Sequence, residues 1–320
     1  MNDIWPNIPN ADYRDPGLPE YADNPFICAL PAIRDQSTAI NELRLLPTFN
    51  PEEVNLPPHI RVHAMQRLLT QFFQPFAQHV TLETRFAILI RQGYIGRNPE
   101  TPDFKKHLLN GYDRIVNKDI RLTTRTDITT TANSFGIVGT SGCGKSLAIR
   151  RILASYPQAI FHPNLQIIQV PWLKLECPSN GSLKELCKNF FVALDNRLGT
   201  QYRKQRGKAR TGTDELITEM AQLAQIHGLG VLVIDEIQNL SVNRSGGEAP
   251  MLNFFVSLVN EVGIPVVLVG TPKARRLFAK DFSQARRSSG LGSVSWDRMT
   301  EDGNWKRLTT LLCKPPAAPS

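Results

Sequence analysis

Between an apolar run and an amphipathic one lies Gly139-Thr140-Ser141-Gly142-Cys143-Gly144-Lys145-Ser146, a G-x-x-x-x-G-K-[ST] pattern that few folds can house. The residues before it, Phe135 to Val138, predict a strand. Those after it, Leu147, Ala148, Ile149, Ile152 and Leu153, carry the spacing of a helix. In a strand–loop–helix of this kind the glycines let the backbone wrap so that successive N–H groups face a phosphate chain, and the helix start adds its dipole. Gly139, Thr140, Ser141, Gly142, Cys143, Gly144, Lys145, Ser146 and Leu147 are therefore the candidate cradle for ATP. Lys145 is expected to reach the β- and γ-phosphates, and the Ser146 hydroxyl to coordinate Mg²⁺.

The stretch after Thr131 alternates apolar β-rich runs with amphipathic ones, which predicts a parallel sheet covered by helices. Strands are expected in SFGIVG, LQIIQVPWLKL, VLVIDE and IPVVLVG. Helices are expected over Ser146–Tyr156, Ser182–Leu198, Thr213–His227 and Met251–Val262. Asp235 and Glu236 close one strand; Asp235 suits the metal, and Glu236 suits polarising a water molecule. An exposed acidic turn is the plainer alternative. Thr271 ends the next strand, where it would hold the attacking water, unless Gly-Thr-Pro is a simple turn. Arg286 and Arg287 sit at a helix end running into a Ser/Gly loop, from which one of them could reach a neighbouring subunit's nucleotide as an arginine finger.

Upstream, ten prolines fall within residues 1–58, a density that forbids long helices and predicts a Pro-rich N-terminal arm lying on something else. From Ile60 to about Arg91 the spacing turns helical, through Leu68, Leu69, Phe72, Phe73 and Phe76, and a short helix is expected over Phe104–Ile115. The expected division is arm 1–58, ATPase core 59–312 and Pro/Ala tail 313–320. Apolar runs are too short to cross a bilayer, and the N-terminus carries no secretory pattern, which points to a soluble cytoplasmic protein without a membrane partner. Five scattered cysteines write neither a disulfide framework nor a zinc site.

The formal charge of +8 is clustered. Residues 271–320 hold ten basic and four acidic side chains. Arg203, Lys204, Arg206, Lys208 and Arg210 crowd into nine residues without an acid, which suits either a polyanion or a solvated loop.

The order of these motifs resembles the AAA+ ATPases. The segments YADNPFICALP, GYIGRNP, GTSGCGKS, CPSNGSLKELCKNFF, LVIDEIQNLS, SGGEAPMLNFFVSLVN, VGTPKARRLF and ARRSSGLG resemble the TnsC (TniB-type) regulators of bacterial cut-and-paste and CRISPR-associated transposons, over residues 20 to 307. That resemblance implies an ATP-dependent homo-oligomer, a hexameric or heptameric ring or a helical filament, around duplex DNA. It would link a target-selection protein (TniQ/TnsD-like) to transposase subunits. It also implies that Lys145 and Ser146 contact nucleotide, that Asp235 and Glu236 handle metal and water, that Thr271 is a sensor and that Arg286 or Arg287 is the finger. Loops after the second strand would face the pore, setting Asn180, Ser182 and Lys184, with the 202–210 run, against the DNA backbone. Tyr94, Gly96 and Arg97 are implied adenine-side contacts. A helical lid normally ends such chains; here a Pro/Ala tail stands in its place, so the lid is expected to be missing and hydrolysis slowed. Competing readings are a helicase loader or replication initiator of the same class, and a nucleotide-binding scaffold with little turnover.

Overall fold

The runs Ser134–Gly139, Val231–Asp235 and Val266–Gly270 are buried along their whole lengths, so both faces are covered and no polar alternation is needed. The computed structural model describes residues 8–48, 50–125, 130–208, 210–239, 248–274 and 292–313. Among these, the strands are β1 (Ser134–Gly139), β2 (Ile160–His162), β3 (Ile167–Gln169), β4 (Trp172–Glu176), β5 (Val231–Asp235), β6 (Val266–Gly270) and β7 (Ser293–Trp296). Five form a parallel sheet in the order β4-β5-β6-β1-β7, while β2 and β3 pair antiparallel.

The helices are α1 (Pro19–Ala22), α2 (Pro25–Cys28), α3 (Gln36–Leu43), α4 (Pro58–Met65), α5 (Arg67–Gln71), α6 (Ala77–Ile95) and α7 (Pro102–Asn117). They continue with α8 (Lys145–Ala154), α9 (Leu183–Leu198), α10 (Tyr202–Gln205), α11 (Thr213–Ile226), α12 (Glu248–Asn260) and α13 (Gly303–Cys313). The predicted sheet and its covering helices are all present. Two expected elements are broken instead of continuous. The run from Leu165 to Leu175 becomes β3 and β4, because Pro171 has no N–H to give a ladder and turns the chain from one sheet into the other. The helical stretch from Ile60 to Arg91 becomes α4, α5 and α6, with Phe73 pairing backbone to backbone with Leu45 and Pro75 barring a through-helix.

The chain divides into two compact units, Met1–Ile33 with Arg85–Trp296, and Arg34–Thr84 with Asp297–Ser320. In the first, Leu186, Phe190 and Phe191 of α9 meet Leu232 and Ile234 of β5, Leu268 of β6 and Phe254 of α12 in one buried core. Ser182 caps α9 by accepting the Glu185 N–H, and Gly199 ends it in the left-handed region at φ 69°. The first part of the proline-rich segment, up to Ile33, belongs to this same unit. Phe26 is buried between the rings of Tyr94, Phe104 and His162, and residues Pro9 and Ala11 hydrogen-bond to Phe161 of β2. In the second unit, Arg34 binds both Glu42 and Glu83, and Asp35 caps α3 through the Thr38 N–H at 2.8 Å. That bond and those from Ser37 and Thr38 hydroxyls hold the Asp35 carboxyl down to about 2. Among the described residues no helix is long and apolar enough to cross a membrane.

Candidate functional site

The sheet delivers three strand ends to one edge. β1 ends at Gly139, β5 at Asp235 and β6 at Gly270, and β6 lies between the other two. Parallel strands therefore bring the Gly139–Ser146 loop, the Asp235-Glu236 pair and Thr271 together, the crevice at which open α/β sheets take ligands.

The loop needs glycine at two places. Gly142 and Gly144 stand at φ 77° and 89°, where a side chain would be strained, and an added Cβ would meet nothing within 4 Å at either. Glycine is therefore required there by backbone conformation and not by crowding. Lys145 begins α8 and is 8% exposed; its ammonium donates to the Gly139 and Thr140 carbonyls at 2.8 Å each. The Cys143 thiol donates to the Thr140 carbonyl at 2.8 Å. Leu147, in the first turn of α8, is exposed.

Across from the loop, the Ser146 hydroxyl donates to Asp235 Oδ2 at 2.7 Å, and Lys174 of β4 reaches the same oxygen at 2.8 Å. The Asp235 side chain is 4% exposed, so the Lys174 ammonium is the counter-ion that makes its burial tolerable. Asp235 Oδ1 accepts the Glu236 N–H at 3.0 Å. Glu236 is exposed and stands at φ 56°, which is uncommon for a residue with a side chain and marks a bend out of the strand line. The two carboxylates are therefore sorted by environment, one buried and one open.

Gln238, in the 3₁₀ turn Ile237–Asn239, joins the strand ends. Its amide donates to Glu236 Oε2, and its Oε1 accepts the Thr271 N–H at 3.1 Å. The Thr271 hydroxyl is buried with no hydrogen-bond partner among the described residues. A buried orphan of that kind suits a ligand atom.

This donor set fits the expected group. A hydroxyl and a carboxylate 2.7 Å apart, both oxygen donors, suit a hard cation that completes its shell with water and phosphate oxygens. The nearby ammonium and the wrapped backbone suit a polyphosphate. Lys174, Gln238 and Trp296 also line this arrangement, and sequence reading missed all three. Lys174 left one signal, a charge between the leucines of WLKL.

Other named residues fall elsewhere. Tyr94 and Arg97 are corrected from adenine contacts to structural anchors. The Tyr94 hydroxyl donates to the Gly228 carbonyl, while Arg97 donates to the Gly93 and Leu229 carbonyls at 2.8 Å each. Gly228 and Leu229 precede β5, so these side chains sit at the sheet edge opposite the phosphate loop. Burial brings the Arg97 guanidinium down to about 10 and raises the Tyr94 phenol. The Gly96 N–H is taken up by the Thr131 hydroxyl at 3.1 Å.

Asn180 and Ser182 shape the start of α9: the Asn180 amide oxygen accepts the Ser182 N–H, and Ser182 is the cap. Lys184 follows in the first turn. Arg203, Lys204, Arg206, Lys208 and Arg210 come after the far end of this 16-residue helix, about 24 Å away along its axis. Within the run, Arg206 pairs with Glu219 and Arg203 folds back to the Gly207 carbonyl, while Lys204, Lys208 and Arg210 are exposed. Asp195 organises its start by accepting the Tyr202 and Arg203 N–H groups at 2.7 and 2.9 Å. Arg286 and Arg287 lie outside the described residues.

Residues 128–278 match the family described as an AAA domain. No curated protein matches the chain. Among solved structures, Cdc6p from Pyrobaculum aerophilum is similar at 14% identity and a TM-score of 0.37, covering 66% of this chain and 50% of that one. A Walker-type ATPase of Pyrococcus abyssi is similar at 16% identity and a TM-score of 0.36, covering 55% and 52%. The chain spans about half the length of each. The five-stranded parallel sheet with its flanking helices and phosphate loop is the AAA+ P-loop NTPase fold.

Proposed function

We propose that this chain binds and hydrolyses ATP with Mg²⁺ at the Gly139–Ser146 loop, and that the bound triphosphate lets copies of it assemble on duplex DNA to regulate transposition. The observation that carries the nucleotide chemistry is the convergence of Lys145, Ser146 and Asp235, with the Ser146–Asp235 contact at 2.7 Å. Lys145 exchanges its bonds to the Gly139 and Thr140 carbonyls for phosphate oxygens, losing no hydrogen bonds in the trade. Ser146 and Asp235 would hold a magnesium ion, and that ion would supply charge neutralisation to the triphosphate. Glu236, the open carboxylate, takes a proton from the attacking water, and Gln238 orients it from the side. The unpartnered Thr271 hydroxyl is available to hold that water or a γ-phosphate oxygen.

The transposition role is supported by the run of TnsC-like segments from residue 20 to residue 307 and by the exposed cations Lys204, Lys208 and Arg210. Assembly around DNA would place a neighbour's Arg286 or Arg287 at the nucleotide and let the oligomer bridge a TniQ/TnsD-like target selector and transposase subunits. Electron microscopy with duplex DNA and a non-hydrolysable ATP analogue tests this. Rings or filaments that appear only with nucleotide are expected, and a chain that stays monomeric on DNA at saturating nucleotide and Mg²⁺ overturns the reading. Co-purification of replication proteins without transposase would shift it to a loader or initiator.

A further inference from the structure

We infer that Trp296 is a positioning residue for the nucleotide, acting through the phosphate loop that it grips from behind. The inference rests on the reading of Gly139–Ser146 as a nucleotide site.

β7 pairs parallel with β1, and Trp296 is opposite Gly139, the last strand residue before the loop. Trp296 is 1% exposed. Its indole N–H donates to the Cys143 carbonyl at 2.9 Å, and its own carbonyl accepts the Cys143 thiol at 3.5 Å. Its backbone also fills the space behind Gly139, where an added Cβ would lie 2.1 Å from the Trp296 oxygen. Three contacts thus tie Gly139 and Cys143 of the loop to one residue.

The Cys143 carbonyl is the consequential one. Cys143 lies between Gly142 and Gly144, the two residues in the left-handed region, so its peptide plane helps set which way the neighbouring N–H groups face. Two adjacent glycines make that plane easy to rotate. An indole N–H holding the Cys143 carbonyl turns the Gly144 N–H, which shares its trans peptide plane, the opposite way. Hydrogen bonds of this sort act as preorganisation: the loop does not have to be ordered again when a phosphate arrives.

Trp172 supplies a matched comparison. It too is an aromatic anchor on a sheet strand, with its indole N–H on the Tyr156 carbonyl at 3.3 Å and the Arg197 guanidinium 3.8 Å over its ring. Tyr156 follows the end of α8 that is remote from the loop, so this indole holds the opposite end of the same helix. If Trp296 only fills space, loss of either indole should act alike.

The test is nucleotide affinity by titration calorimetry for the wild-type chain, Trp296→Phe and Trp172→Phe. Trp296→Phe keeps a ring but leaves the Cys143 carbonyl without its donor, and is expected to weaken ATP-analogue binding roughly tenfold. Trp172→Phe should bind as the wild type does. Equal affinities for a folded Trp296→Phe and the wild type, or equal losses in both variants, overturn the inference. Should Trp296→Phe not fold, amide hydrogen exchange on the wild-type chain decides: nucleotide should slow exchange across residues 293–296, and an unchanged rate there overturns it. A wild-type chain that binds no nucleotide instead sinks the reading of the loop itself.

Discussion

Lys174 Nζ and Asp235 Oδ2 lie 2.8 Å apart, on the same oxygen that takes the Ser146 hydroxyl. The pair joins neighbouring parallel strands on a diagonal, because Lys174 is opposite Val233 while Asp235 closes β5 opposite Glu176. Both side chains are largely buried, at 14% and 4% exposure, so each ion depends on the other for its tolerance of the interior.

Removing the ammonium should therefore be costly only until another cation arrives. Lys174→Met is expected to lose about 3 kcal/mol in denaturant unfolding without nucleotide. With Mg²⁺ and an ATP analogue it should regain more stability than the wild type does. Equal stabilisation of both chains by the complex would show that the metal does not use Asp235.

Lys145→Ala removes the charged donor from the loop. Nucleotide affinity is expected to fall roughly 100-fold by calorimetry, and nucleotide-dependent assembly on DNA should vanish with it. Retained assembly would separate DNA binding from the triphosphate and contradict the gating role.

Glu236→Gln keeps the shape of the open carboxylate and its reach to Gln238 while abolishing its basicity. Binding should be unchanged, and phosphate release should drop by about 10²- to 10⁴-fold. Equal rates in both chains would mark the protein as a nucleotide-holding scaffold.

For DNA, the two ends of α9 make distinguishable predictions. Charge reversal at Lys204, Lys208 and Arg210 should flatten the salt dependence of duplex binding by about one unit of slope for each phosphate no longer neutralised. Arg206→Ala should leave the slope alone and lower stability by at most about 1 kcal/mol, because Arg206 is already committed to Glu219. If Lys184→Ala flattens the slope and the triple reversal does not, the DNA meets the start of α9 and not its far end.

Acid should act through buried imidazoles. Burial brings His79, His107 and His227 each down to about 4, against an ordinary value of 6.5. Each is neutral in the folded chain, so its contribution is fully present above pH 6.5 and is lost as pH falls toward 4. Over that window stability should decline by about 1.4 kcal/mol per pH unit for each histidine. Burial lowers His162 as well; denaturant unfolding from pH 7.5 to 4.5 measures the joint effect, and His227→Gln should shallow the decline.

The phosphate loop, the strand ends at Asp235 and Gly270 and the helices after them could be read from residues because glycine spacing and unbroken Val/Ile runs are local signals. What could not be read is what the sheet order brings together. Lys174 becomes part of the site only because β4 is the neighbour of β5, and Trp296 only because β7 pairs with β1. Tyr94 and Arg97 misled for the converse reason: an aromatic and an arginine near a glycine suggest a ligand, yet the end of α6 and the turn after it carry them to the far edge of the sheet, where they donate to the carbonyls of residues 93, 228 and 229. Proline was legible as a breaker, but where the chain turned at Pro171 and Pro75 depended on which sheet or partner strand lay next to it.

β7 has one more consequence, for anyone trimming this chain. A fragment ending at residue 278, where the AAA domain match stops, would lack Ser293–Trp296. β1 would then become an outer strand with a bare row of N–H and C=O groups, apolar on both faces and without charge to deter a stranger. Such a fragment should clump by strand addition, so the shortest soluble piece has to run past residue 296.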